Sequence, residues 1–229
     1  MTAKFDRYER SYREEVERSI AFAGVGIDVF TEAKAAALLR LVRNRLGDPA
    51  EVRALDVGCG PGETDAYLAP ELAELHGVDV SSGVLDAARK RNPGVSYRVY
   101  EGDRLPYDDG SFDVAFAICV IHHVPPDRWP SFAVELARVV RPGGLAVLVE
   151  HNPLNPLTRL AVARCAFDDD AVLLGAGAAQ RLLREAGLAR VESRYIVFHP
   201  FRSPLLRRLD HALGRVPLGA QYLCVGEPA

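Results

Sequence analysis

The sequence predicts an α/β fold with a mostly parallel sheet and helices on both faces, and three observations lead there. Short apolar, β-branched runs alternate with helix-length amphipathic segments from about residue 52 to residue 150. A glycine-rich turn, Asp56-Val57-Gly58-Cys59-Gly60-Pro61-Gly62, follows the first run directly and opens a helix. Asp79 closes the second run. Strands that alternate with helices are joined by right-handed crossovers, which cover the sheet on both sides.

The elements follow in order. Tyr8, Tyr12, Val16 and Ile20 recur at four-residue spacing among charges and describe an amphipathic helix. A second helix is expected from Glu32 to Leu46, with Thr31 as N-cap and Leu38, Leu39, Val42 and Leu46 as its apolar stripe. Gly47 and Pro49 end it. The core then reads as strand Val52–Val57, a helix after Gly62, strand Glu74–Val80, helix Ser82–Arg91 and strand Ser96–Tyr100. Strand Phe112–Cys119, helix Arg128–Val140 and strand Leu145–Glu150 complete it. Asn155-Pro156 has the form of an N-cap with a first-turn proline, for a helix ending near Cys165. A helix over Ala178–Ala186, a strand Val191–Phe198, a helix opened by Ser203-Pro204 and a strand Ala220–Val225 follow. The expected organisation is a single domain over 1–229: a helical cap at 1–48, a cofactor-binding core at 50–150, an acceptor-side insert at 151–175, and a closing helix and strands at 176–229.

Composition narrows the function. Of 229 residues, 48% are hydrophobic and 26% charged, which suits a chain with one sizeable core. The net charge is -3 and basic residues are spread rather than clustered, so no footprint for a polyanion is visible and no nucleic acid is expected as partner. Cys59, Cys119, Cys165 and Cys224 lack the paired spacing of a zinc or redox motif. No apolar run reaches the roughly 20 residues that span a bilayer, and the charged start from Lys4 to Arg18 has no signal-type apolar segment. A cytoplasmic protein without a membrane partner, monomeric or homodimeric, is the expectation. Asp168-Asp169-Asp170 is read as a solvated or capping loop, since a metal needs converging ligands; no metal is expected.

The glycine turn permits close backbone approach to a ligand outside the carboxyl ends of the strands. A carboxylate at Asp79 suits two ribose hydroxyls and repels a 2′-phosphate. These features are shared by dinucleotide and S-adenosylmethionine sites. A later stretch, Gly102-Asp103-Arg104-Leu105-Pro106-Tyr107-Asp108-Asp109-Gly110-Ser111-Phe112-Asp113, separates the two. Together with the glycine turn, with Cys119-Val120-Ile121-His122-His123-Val124 and with Arg141-Pro142-Gly143-Gly144-Leu145, it resembles the class I S-adenosylmethionine-dependent methyltransferases of bacterial small-molecule pathways.

That resemblance covers roughly residues 50 to 150. It implies a Rossmann-like fold of seven strands with the last antiparallel, and S-adenosyl-L-methionine as cofactor with S-adenosyl-L-homocysteine as product. Gly58, Gly60 and Gly62 should then approach the methionine and ribose portions, Asp56 the amino end, and Asp79 the ribose. Asp103 and Arg104 should flank adenine, with Cys119 on the same cofactor side. Arg141 to Gly143 only end a helix and start a strand.

Methyl transfer to a hydroxyl gains from a general base, and His122, His123 and His151 all end strands near the expected methyl position. Acceptor recognition should fall to Tyr8 and Tyr12, to Asn152, Asn155 and Arg159 of the insert, and to the helix near Pro204–Leu213. The expected acceptor is a small molecule, a secondary metabolite or saccharide. The competing readings are a methyltransferase-fold protein that transfers no methyl (a cyclase or partner subunit) and an NAD-dependent oxidoreductase. A nucleic-acid methyltransferase would bring a basic face, which is not seen.

Overall fold

The computed structural model describes residues 12–199 and 212–228. In chain order it holds α1 (Tyr12–Ile20), α2 (Ile27–Arg45), β1 (Arg53–Val57), α3 (Asp65–Leu68), β2 (Glu74–Asp79), α4 (Ser82–Arg91), β3 (Ser96–Val99) and β4 (Phe112–Ile118). There follow α5 (Trp129–Arg138), β5 (Val140–His151), α6 (Pro156–Arg164), α7 (Ala176–Glu185), β6 (Leu188–Ile196) and β7 (Gln221–Pro228).

The seven strands form one sheet in the order β3-β2-β1-β4-β5-β7-β6. β1 pairs in parallel with β2 and β4, and β4 in parallel with β5, while β7 runs antiparallel to both β5 and β6. The expected sheet, including its antiparallel last strand, is present. Strand order reverses between β1 and β4, and a crevice opens there at the carboxyl ends of the strands.

Both faces of the central strands are buried, which is why they read as unbroken apolar runs. Along β5, Val147 and Val149 point to one face and Ala146 and Leu148 to the other, all at 0% exposure. The first face packs on Leu38 and Val42 of α2 and Leu85 of α4. The second packs on Leu136 of α5 and Leu183 of α7. Each buried valine or leucine among them contributes on the order of 1.5–3 kcal/mol when removed from water.

Several boundaries differ from the sequence reading. α2 begins at Ile27 after an extended Gly26, so Thr31 is not its N-cap. Thr31 lies inside the helix, buried, with its hydroxyl donating to Ile27 O at 3.2 Å. An intrahelical bond of this kind satisfies a threonine without a cap, and Ile27 and Phe30 continue the apolar face upstream. At the other end Leu46 and Gly47 both donate to Val42 O, and Gly47 has φ +102 as a left-handed stop requires. β5 starts at Val140 rather than Leu145, because Arg141 to Gly144 remain in the sheet as a bulge between the Phe112↔Val140 and Val114↔Leu145 pairs. Gly144 is confined there by Asp113 O, 2.5 Å from where a Cβ would stand. β6 begins earlier than expected and breaks register between Ala189 and Glu192, with Arg190 at φ +47. The helix expected from Ser203-Pro204 lies outside the described residues, as does Tyr8.

Candidate active site

The glycine turn joins β1 to α3. Gly58 N and Cys59 N both donate to Val78 O of β2, at 2.7 and 3.0 Å, so the turn is stitched across the sheet. Gly58 has φ +79, and a Cβ on it would stand 2.6 Å from Val120. Gly60 has φ +53 with nothing within 4 Å of a built Cβ, so its open side faces free space. A cavity of about 350 Å³ lies over it, lined among others by Asp56, Gly58, Gly60, Asp79, Tyr100 and Cys119.

Asp79 ends β2 and organises this turn. Its two carboxylate oxygens accept Gly60 N–H and Ser81 N–H, each at 2.9 Å. Ser81, not Asp79, caps α4, its hydroxyl accepting from Val84 N. Behind the turn Asp56 and Asp65 are both buried. Burial and the facing Asp65 carboxyl push Asp56 well above the usual carboxylate range, and burial pushes Asp65 up to about 6. Tyr97 OH donates to Asp65 Oδ2 at 2.7 Å and takes a bond from Asn92 Nδ2, which also holds Gly62 O. Two carboxyls this close hold one proton most readily, or a cation brought by a ligand.

A second cavity, of about 370 Å³, adjoins the first and shares Ile27, Lys34 and Cys119 with it. Its walls are apolar, with Val16 and Ile20 of α1, Phe22, Phe30 of α2, Val162 of α6, and Phe167. Among its polar lining residues are Cys119, His151, Asp168 and Gln221, with Ser19, Lys34, Asn155, Thr158 and His199 elsewhere on the wall. Cys119 sits at the junction with φ +58, a conformation rare for a residue with a side chain, and its thiol accepts from Gln221 Nε2 at 3.2 Å.

The strain at Cys119 turns the chain out of β4 into a 3-10 turn, Ile121–His123, which Glu150 of β5 anchors. Glu150 Oε1 accepts Val120 N–H and Ile121 N–H, both at 2.9 Å, and Oε2 lies 2.6 Å from His122 Nδ1. Burial opposes charge on His122, but Glu150 and Asp168 outweigh it and hold the imidazole well above its ordinary range. Burial and the His122 charge push both His123 and His151 down to about 4.

The three histidines therefore separate. His123 lines the first cavity and His151 the second, while His122 lines neither and is buried between two carboxylates. Of the residues expected at the cofactor, Asp56, Gly58, Gly60, Asp79 and Cys119 line the first cavity. Gly62 turns away from it, packed on Asn92 and Tyr97. Asp103 is exposed and pairs with Arg128, which does line the cavity, and Arg104 is exposed and lines neither cavity. Gly102 rather than Arg104 lines the rim, and the chain turns in at buried Leu105 beyond it.

On the acceptor side, Asn152 is buried and fully used. Its Nδ2 donates to Pro217 O and Gly219 O, and its Oδ1 accepts Leu154 N–H. Asn155 lines the second cavity but caps α6 through Leu157 N–H and Thr158 N–H. Arg159 is exposed and lines neither cavity. Tyr12 is the first described residue of α1. Of the acidic triplet, Asp169 and Asp170 face water but Asp168 does not: it is 9% exposed and turned toward His122 and His123. Phe167, buried beside it, anchors the loop so that Asp168 points inward. Lys34, Asp65, Glu150 and Gln221 are site residues that carry no local motif; only the fold assembles them.

Residues 55–148 match the family model described as a methyltransferase domain. An uncharacterized methyltransferase of Synechocystis sp. is 33% identical over 104 residues, 45% of this chain and 49% of that protein. An O-methyltransferase of Penicillium expansum is 32% identical over 163 residues, 68% of this chain and 58% of that protein. The chain thus spans about half the length of these curated relatives. A SAM-dependent methyltransferase structure from Thermotoga maritima is similar in fold over 100% of both chains, with a TM-score of 0.71 at 21% identity.

Proposed function

We propose that the protein, whose residues 55–148 match the methyltransferase domain model, is an S-adenosylmethionine-dependent methyltransferase acting on a hydroxyl of a small, largely apolar acceptor. The observation that carries the reading is the pair of cavities that meet at Cys119, one over the glycine turn and one walled by aromatic and aliphatic side chains.

The first cavity fits the cofactor. Gly60 leaves an open cradle where any side chain would intrude on a ligand, and Asp79 lies at the cavity wall beside it. Asp56 and Asp65, sharing one proton, leave a single negative charge behind the turn, which favours a ligand bearing an ammonium and a sulfonium. When bound, S-adenosylmethionine supplies a methyl group already activated on sulfur. The protein's part is then to orient, to exclude water and to take a proton.

The second cavity supports an acceptor with an apolar body. Phe22, Phe30, Val162 and Phe167 would cover it, and Asn152 and Asn155 have their polar groups committed to backbone. A saccharide is therefore the less favoured acceptor. In this reading His151, on the cavity wall beside Gln221, would take the hydroxyl proton.

Calorimetric titration with S-adenosylmethionine, S-adenosylhomocysteine and NAD, repeated with Asp79→Ala, tests the cofactor. Tight binding of the two sulfur compounds alone, weakened about a hundredfold in the variant, is expected. NAD binding, or none, overturns the reading. With an acceptor found by screening, S-adenosylhomocysteine formation should fall at least a hundredfold in His151→Gln with cofactor affinity kept. If no acceptor yields S-adenosylhomocysteine, a fold that binds without transferring gains the ground.

A further inference from the structure

Three side chains from two distant segments converge beside Cys119. His122 Nε2 stands 3.7 Å and His123 Nε2 3.3 Å from the same oxygen, Asp168 Oδ1. One ligand atom from each of the three lies within 4.8 Å of the others. Donors around a tetrahedral ion with bonds of about 2.0–2.1 Å are separated by roughly 3.4 Å, so little movement would close this set on one centre.

Two further observations point the same way. Asp168 Oδ1, nine-tenths buried, faces the two imidazoles but makes no aligned hydrogen bond among the described residues, which leaves its lone pairs open to a ligand. His122 is held from behind by Glu150, Nδ1 to Oε2 at 2.6 Å, which aims Nε2 toward Asp168. A carboxylate on the far nitrogen is how metal-binding imidazoles are oriented and made more basic. Glu150 is itself fixed by two backbone N–H groups. With Glu150 and Asp168 both carboxylates in a buried cluster, a doubly charged ion would balance the charge.

We propose that His122, His123 and Asp168 form a binding site for a divalent first-row transition ion of the Zn²⁺ type, with Glu150 orienting His122. Two imidazoles and one carboxylate suit Zn²⁺ or Fe²⁺, and disfavour Mg²⁺ and Ca²⁺, which require oxygen-rich shells. His123 faces the first cavity and Asp168 the second, so the remaining coordination position opens where the two cavities meet. An acceptor oxygen is the ligand that position would take. The expectation from sequence that the acidic triplet holds no metal rested on a lack of convergence, and the fold supplies the convergence.

The test needs no acceptor and no methyl transfer, so its failure is separable from failure of the proposed activity. The chelator-treated protein is titrated with Zn²⁺ by calorimetry and with Co²⁺ by visible absorption, alongside Mg²⁺. Expected are one Zn²⁺ per chain, d–d bands from Co²⁺ in a low-symmetry site, and no heat with Mg²⁺. Asp168→Asn and His123→Gln should each weaken Zn²⁺ binding more than a hundredfold, and Glu150→Gln ten- to a hundredfold. Circular dichroism verifies that the variants fold, and the wild-type titration decides the matter alone if they do not. No Zn²⁺ or Co²⁺ binding to wild type, equal binding to wild type and folded variants, or preference for Mg²⁺ would each overturn the site.

Discussion

The two cavities differ in how they are built. The first rests on consecutive residues at the ends of β1 and β2, tied by backbone hydrogen bonds from Gly58 and Cys59 to Val78 and by the Asp79 carboxylate. The second is enclosed by residues of α1, α2 and α6 and of the segments around Phe167 and Gln221, brought together from distant parts of the chain. One site is thus part of the sheet and inherits its rigidity. The other is an addition, and its walls can change without disturbing the strands.

If that contrast is right, injury to the first cavity should cost fold and ligand together. Gly58→Ala adds a Cβ 2.6 Å from Val120 at a φ of +79, combining backbone strain with overpacking, so a loss of about 2–5 kcal/mol in urea denaturation is expected. Cofactor binding should go with it. Unchanged stability would mean that the turn yields more readily than its stitching implies.

A second prediction sharpens the contrast through pH. Asp65 is held at about 6 in the folded protein against about 3.9 unfolded, chiefly by burial. The folded state binds more protons between those values, so the stability Asp65 contributes is fully present below about 3.9 and is lost as pH rises through 6. Asp65→Asn keeps an acceptor for Tyr97 and removes the titration. Relative to wild type, the variant should gain on the order of 1–3 kcal/mol between pH 4 and pH 7.5, read from melting curves at each pH. Parallel curves for the two proteins would sink this account of the cluster.

Damage to the second cavity should spare the first. Phe30→Ala is expected to raise the acceptor KM about tenfold, about 1.4 kcal/mol, from lost apolar burial, with cofactor affinity within twofold of wild type. A matching loss of cofactor affinity would show the cavities to be one unit. The smallest effect belongs to the surface: Arg45 pairs with Glu192 and Glu227, each at 2.6 Å, linking α2 to β6 and β7. Partly exposed pairs contribute little, and Arg45→Ala should cost under about 1 kcal/mol by the same denaturation.

Legibility in the sequence follows the same division. The glycine turn, Asp79 and the central strands were readable because their cause is local: φ above zero for Gly58 and Gly60, and double-faced burial for the strands. The second cavity was not, because its residues meet only through tertiary packing. Asn152 and Asn155 looked like polar contacts for a ligand, but short amide side chains first satisfy nearby backbone, as both do here. Asp168 looked like its exposed neighbours Asp169 and Asp170, and only burial of Phe167 sets its direction. Thr31 read as a cap because threonine commonly is one, although the helix already continues four residues upstream.

The strand order carries a consequence for how the molecule is made. β7 lies between β5 and β6 although it follows both in the chain. On the ribosome, β5, apolar and buried from Leu145 to Val149, therefore waits with one unpaired edge until residues 221–228 emerge, and among the described strands β6 has none to join before then. The nascent sheet is exposed to wrong edge-to-edge pairing throughout that interval, and the emergence of β7 ends it.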